Sequence, residues 1–131
     1  MSAFVDTNIL IRHLTLDPPA TAKRATRFLA EADELFLTDL VVAEVVYVLE
    51  SFYEVPRAEV GELVRAILVF DSMVTTDRDL LLRAVEVYVD HRLDFAEAYL
   101  VASAEASGIG AVASFDRTID RVGTVERIEP W

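Results

Sequence analysis

The chain has no cysteine, a single lysine, one tryptophan, and only four glycines and four prolines in 131 residues. Without cysteine there is no disulfide, no thiolate nucleophile and no zinc–thiolate site. With so little glycine and proline there is no low-complexity linker, so one domain spanning 1–131 is expected. No apolar run approaches the roughly 20 residues that cross a bilayer. Leu40–Leu49 comes nearest, and Glu44 interrupts it. The N-terminus lacks a basic region and Asp6 breaks its apolar stretch, which argues against a signal peptide. No membrane association and a cytoplasmic location are the expectations. Only two histidines occur, His13 and His91, and both read as surface residues of amphipathic helices.

What is present is a core and an acidic surface. Hydrophobic residues make up 53% and mean hydropathy is +0.34, which excludes a disordered chain. The net charge of −11 opposes simple electrostatic attraction to nucleic acid. Binding a polyanion would need a localised basic patch, and a cationic partner would suit the surface better. Lys23, Arg24 and Arg27 form a possible patch, although a solvated helix face is the simpler role.

Short apolar runs alternate with longer helical patterns. Ala3–Val5 reads as a first strand, with a short helix over about Ile9–Leu14 and another near Ala20–Ala32 after the Asp17-Pro18-Pro19 break. Leu35–Leu37 is a second strand, and Asp39 is placed to cap a helix through about Tyr53. Val55-Pro56 forces extended backbone before a helix over Arg57–Phe70. Met73–Thr75 is a weaker strand. Thr76-Asp77 caps a helix to about His91, and Asp94 starts one to about Ala106 that Ser107–Gly110 ends. Ala111–Ala113 forms a strand, Arg117–Val122 a short helix and Val125–Ile128 an edge strand. This alternation predicts a three-layer α/β/α domain around a central, mainly parallel sheet with buried strands.

Carboxylates stand at telling places in that pattern. Asp6 and Asp116 each follow an apolar strand, at the carboxyl edge where open α/β sheets place their chemistry. Capping the next helix explains either one equally well, unless Thr7 or Asn8 caps in place of Asp6. Glu44 has apolar residues on both sides and no Lys or Arg between Arg27 and Arg57, so a buried helix would hold an unpaired charge there. Asp94 and Glu97, three apart, share a helix face, and the helix N-terminus alone suffices to favour them. Gathered about 4 Å apart, such acids repel by roughly 4 kcal/mol per pair at a surface-like dielectric. They would require shared protons or a divalent ion. All-oxygen donors point to Mg²⁺ or Mn²⁺.

The chain resembles PIN-domain ribonucleases of the VapC toxin type along essentially its full length. The likeness rests on Phe4-Val5-Asp6-Thr7-Asn8-Ile9-Leu10, on Ala43-Glu44-Val45, on Asp94-Phe95-Ala96-Glu97-Ala98 followed by Leu100-Val101-Ala102, and on Ser114-Phe115-Asp116-Arg117. It implies a PIN-like fold, an acidic pocket for one or two Mg²⁺ or Mn²⁺ ions, endoribonuclease activity, and a cognate antitoxin that blocks the pocket with a cationic segment. It assigns metal to Asp6, Glu44 and Asp116, with Thr7 and Asn8 in support. Where the family usually has Asp in the Asp-Ala step of that helix, this chain has Glu97-Ala98, and Asp94 one turn earlier competes for the role. Both are carried as ligands, Asp94 slightly favoured. Ser114 is a candidate contact to metal-bound water or phosphate, and Arg12 and Arg117 are candidate phosphate contacts. Segments Val41–Leu49 and Val60–Phe70 are apolar enough to serve a homodimer or an antitoxin, although core packing is their simpler use. Competing expectations are a catalytically weakened PIN-fold binding domain, a metal-dependent nuclease outside any toxin–antitoxin pair or one acting on DNA, and a receiver-type phosphoacceptor domain. The last needs a lysine after a late strand, and Lys23 lies on an early helix.

Overall fold

The computed structural model describes residues 1–131, which divide into two compact units, Met1–Thr76 and Asp77–Trp131. The first unit runs β1 (Ser2–Phe4), α1 (Thr7–Thr15), α2 (Pro19–Glu31), β2 (Glu34–Phe36), α3 (Asp39–Ser51), α4 (Arg57–Leu68) and β3 (Met73–Val74). Its strands form a parallel sheet in the order β1-β2-β3, with Ala3 opposite Leu35 and Leu35 opposite Met73. Each crossover carries two helices, long enough to return the chain to the same sheet end. The ladder extends past the strands: Val5 N–H donates to the Phe36 carbonyl at 3.0 Å, and Leu37 N–H to that of Val74 at 2.9 Å. Asp6 therefore follows directly on the sheet's carboxyl edge.

Helix α3 shows how sequence becomes position. Val42, Val45, Val46 and Leu49 are buried, while Leu40, Glu44, Tyr47 and Ser51 form the opposite, exposed stripe at helical spacing. β-Branched valines are middling helix formers, so packing rather than propensity holds this helix. They meet Leu10, Leu37, Val64, Ile67 and Leu68 around a residual void of only about 10 Å³. That is at the lower limit for a single water. The N-cap is Thr38, whose Oγ1 accepts from Val41 N–H at 3.2 Å, and not the expected Asp39, which sits in the first turn.

The second unit runs α5 (Arg78–Asp90), α6 (Phe95–Ser107), β4 (Ala111–Ala113), a 3₁₀ helix (Arg117–Arg121) and β5 (Glu126–Ile128). Strands β4 and β5 pair in parallel, Val112 opposite Arg127. Small residues Ala84, Ala98 and Ala102, all essentially inaccessible, let α5 and α6 approach closely, and Tyr88 meets Phe95 edge-on at 6.1 Å. Asp77 caps α5 by accepting from Leu80 N–H at 3.1 Å, as expected. Gly108, at φ 77°, ends α6 in the left-handed conformation that glycine adopts without Cβ strain.

The expected three-layer α/β/α class, with helices about parallel strands, holds, and the pairing is parallel in the three-stranded ladder of the first unit and the two-stranded ladder of the second. One expectation needs correction: the strands are not buried throughout, since Phe4 in β1 is exposed. No helix is long and apolar enough to cross a membrane.

Candidate functional site

The β1–α1 junction and the exposed stripe of α3 together line a pocket of about 300 Å³. Asp6, Thr7, Asn8 and Arg12 enter it from the first element, and Glu44, Val48, Phe52 and Tyr53 from the second. Asp6 is extended (φ −90°, ψ 156°) and its Oδ1 accepts from Thr7 N–H at 2.7 Å. It is therefore the N-cap of α1 itself, and neither Thr7 nor Asn8 caps in its place. Capping occupies Oδ1, and Asp6 makes no ion pair.

Glu44 is exposed, which overturns the expectation of a buried carboxylate. Its apolar sequence neighbours point to the core while Glu44 itself falls on the opposite stripe. The argument from an intolerable buried charge therefore lapses, and position replaces it. Neither Asp6 nor Glu44 forms an ion pair, and Arg12 beside them forms none either. Thr7 is buried, and its Oγ1 has no hydrogen-bond partner. An orphaned hydroxyl beside unpaired carboxylates is a set of hard oxygen donors with unmet capacity, and it fits Mg²⁺ or Mn²⁺. Within neither unit, however, do three or more acidic or histidine side chains converge on one point.

In the second unit the expected residues have more protein partners. Asp116 caps the 3₁₀ helix, its Oδ1 accepting from Thr118 N–H at 2.9 Å and from the Thr118 hydroxyl at 2.7 Å. These bonds hold its carboxyl below the usual range. Ser114 Oγ accepts from Asp116 N–H at 2.9 Å, and Arg127 donates to the Ser114 carbonyl at 3.0 Å. Ser114 thus shapes the turn that presents Asp116. Arg117 is exposed without a partner. Asp94 occupies the N-cap of α6 but makes no side-chain cap bond. Glu97, one turn on, has a buried Oε2 with no partner. Of the two, Glu97 carries the unmet bonding demand.

His13 is not a plain surface residue. Its Nδ1 lies 2.8 Å from Thr26 Oγ1, its ring meets Phe70 edge-on at 5.8 Å, and burial lowers its pKa. Phe52 and Tyr53 had not been singled out from the sequence at all. The signal was available, because Glu44, Val48 and Phe52 are spaced i, i+4, i+8 and must share one helix face.

Parallel strands whose carboxyl ends deliver acids, one of them into an oxygen-lined pocket, define an acid-site α/β protein. The class becomes specific on comparison with known families: the PIN domain matches residues 3–125, nearly the whole chain. The chain belongs to the PIN domain family. It is also 27% identical over 93 residues to a VapC ribonuclease from Aquifex aeolicus (strain VF5), covering 71% of this chain and 69% of that protein.

Proposed function

We propose that this chain is a Mg²⁺- or Mn²⁺-dependent endoribonuclease, the toxin of a toxin–antitoxin pair, acting as one domain over 1–131. The observation that carries this is the pocket where Asp6 and Glu44 stand without a cationic partner beside the orphaned Thr7 hydroxyl. Membership of the PIN family and the likeness to a VapC ribonuclease support it. Asp6 and Glu44 would hold the ion, and Asp116 and Glu97 or Asp94 are proposed as metal ligands from their motifs. A bound divalent ion supplies a nucleophilic water at neutral pH and positive charge for the phosphoryl oxygens.

The chain's own residues do the rest. Asn8 and Thr7 orient the carboxylate of Asp6. Arg12 binds the phosphate in bidentate fashion, since no carboxylate of the protein engages it. His13 is turned to Thr26 and does not line the pocket, so no imidazole there activates a ribose 2′-hydroxyl. Products with 5′-phosphate and 3′-hydroxyl ends are expected. A cationic antitoxin segment would compete for the same carboxylates, and a homodimer is the proposed assembly.

The test is cleavage of matched single-stranded RNA and DNA oligonucleotides, with Mg²⁺ or excess EDTA, by the wild type and Asp6→Asn. RNA cleavage confined to the metal-loaded wild type supports the proposal. Full activity in EDTA or in Asp6→Asn contradicts it. A catalytically weakened binding domain is the second reading, favoured by the absence of any three-acid cluster within a unit. Such a domain binds Mn²⁺ weakly and cuts nothing.

A further inference from the structure

The pocket contains one feature that phosphodiester hydrolysis does not require. Phe52, at the C-cap of α3, leaves 76% of its surface exposed although it lines the same cavity as Asp6, Arg12 and Glu44. Its ring meets Tyr53 at 4.9 Å and 69°, an edge-to-face contact. Tyr53 is itself fixed, its hydroxyl donating to Asp17 Oδ2 at 3.2 Å across the turn that joins α1 to α2. The chain turns sharply just beyond, at Glu54 with φ 53°. The result is an aromatic ring braced from one side and open to the pocket.

We infer that Phe52, braced by Tyr53, is a stacking platform for one unpaired nucleobase of an RNA strand whose phosphate lies against Arg12. The inference deepens the proposed ribonuclease function and rests on it. Three observations favour a nucleobase over other occupants. First, the ring shares its pocket with the free guanidinium of Arg12, matching the aromatic and anionic parts of a nucleotide. Second, its companions there mix polar Asp6, Thr7, Asn8, Arg12 and Glu44 with apolar Ile11 and Val48, unlike the broad apolar patch a protein partner needs. Third, the net charge of −11 weakens electrostatic grip on a polyanion, so stacking, which is tolerant of sequence, has more to supply. Bases of a duplex are already stacked, so the occupant is single-stranded.

The experiment compares the full-length wild type with Phe52→Ala and Phe52→Trp, both at an exposed position where folding is undisturbed. Cleavage kinetics are measured on short single-stranded RNAs. Binding is read in Asp6→Asn backgrounds by the fluorescence of 2-aminopurine placed at successive positions of the same RNAs. Stacking contributes equally to ground and transition states, so Phe52→Ala should raise KM on the order of 10-fold with kcat unchanged. It should also abolish the quenching of one 2-aminopurine position, and Phe52→Trp should restore both. If the wild type cuts RNA and Phe52→Ala matches it in KM and fluorescence, the platform is disproved while the nuclease stands. Phe52-dependent quenching without cleavage would overturn the nuclease and keep the platform. If the wild type neither cuts nor quenches, both fall.

Discussion

Two charged clusters, one in each unit, use their side chains in opposite ways. In Asp77–Trp131 two arginines, Arg83 and Arg127, are tied to carboxylates. Arg83 grips Glu105 with two bonds of 2.8 Å, and Arg127 holds Asp120 and Glu129 at 3.0 Å each. In Met1–Thr76 the Asp6, Glu44 and Arg12 side chains share a pocket and form no ion pair. The first arrangement uses charge to fix structure, and the second leaves charge available for a ligand. The lesson is that an acid's partners, more than its type or burial, separate scaffold from site.

Breaking the pocket should produce the largest change. Asp6→Asn and Glu44→Gln should each lower cleavage by on the order of 100-fold or more, given that even supporting residues of metal sites contribute 10- to 100-fold. Both should leave the melting temperature unchanged or raised, because repulsion is relieved. Breaking the scaffold should do the reverse. Arg83→Ala strands a mostly covered Glu105 and should cost about 2 kcal/mol of stability in denaturant titration, at the level of a charge-assisted bidentate bond.

Acid should reach the units at different pH. Burial places the folded pKa of His13 below its unfolded value near 6.5. The stability this neutral ring contributes is therefore complete above about pH 6.5 and is lost as pH falls through the folded value. Glu105 is held low chiefly by the Arg83 hydrogen bonds, so its contribution persists until pH drops below the ordinary glutamate value near 4.3. Amide hydrogen exchange across pH 3–7 should show α1–α2 loosening first and α5–α6 later. His13→Asn should flatten the upper part of that response.

The smallest effect should also be the most discriminating. Thr7→Val removes a buried hydroxyl that has no partner, so stability should rise by up to about 1 kcal/mol. Cleavage should nevertheless fall if that oxygen supports the site. Thermal melts and initial rates on the same preparations check both halves.

Much of this contrast was legible in the sequence. The proline, glycine and capping signals at Val55-Pro56, Asp77 and Gly108 placed helix ends to within a residue or two, because they act locally. The strand at Ala111–Ala113 fell where expected, while the first two shifted by one residue, β1 ending at Phe4 and β2 at Phe36, since three-residue apolar runs do not define their own ladder bonds. Glu44 was misjudged because Val41–Val46 looks uniformly apolar in one dimension. Its face is set by residues at i±3 and i±4, and the exposed Leu40 and Tyr47 disguised a solvent-facing stripe as core. The role of Asp6 as its own cap, and the orphaned atoms of Thr7 and Glu97, depend on atomic contacts that no residue pattern encodes.

The most direct test is calorimetric titration of the full-length protein with Mn²⁺, beside the double variant Asp6→Asn/Glu44→Gln. Saturable binding by the wild type that disappears in a folded double variant is the predicted result. Equal Mn²⁺ binding by both proteins would contradict the account, since the ion would then be held somewhere other than the pocket at the end of β1.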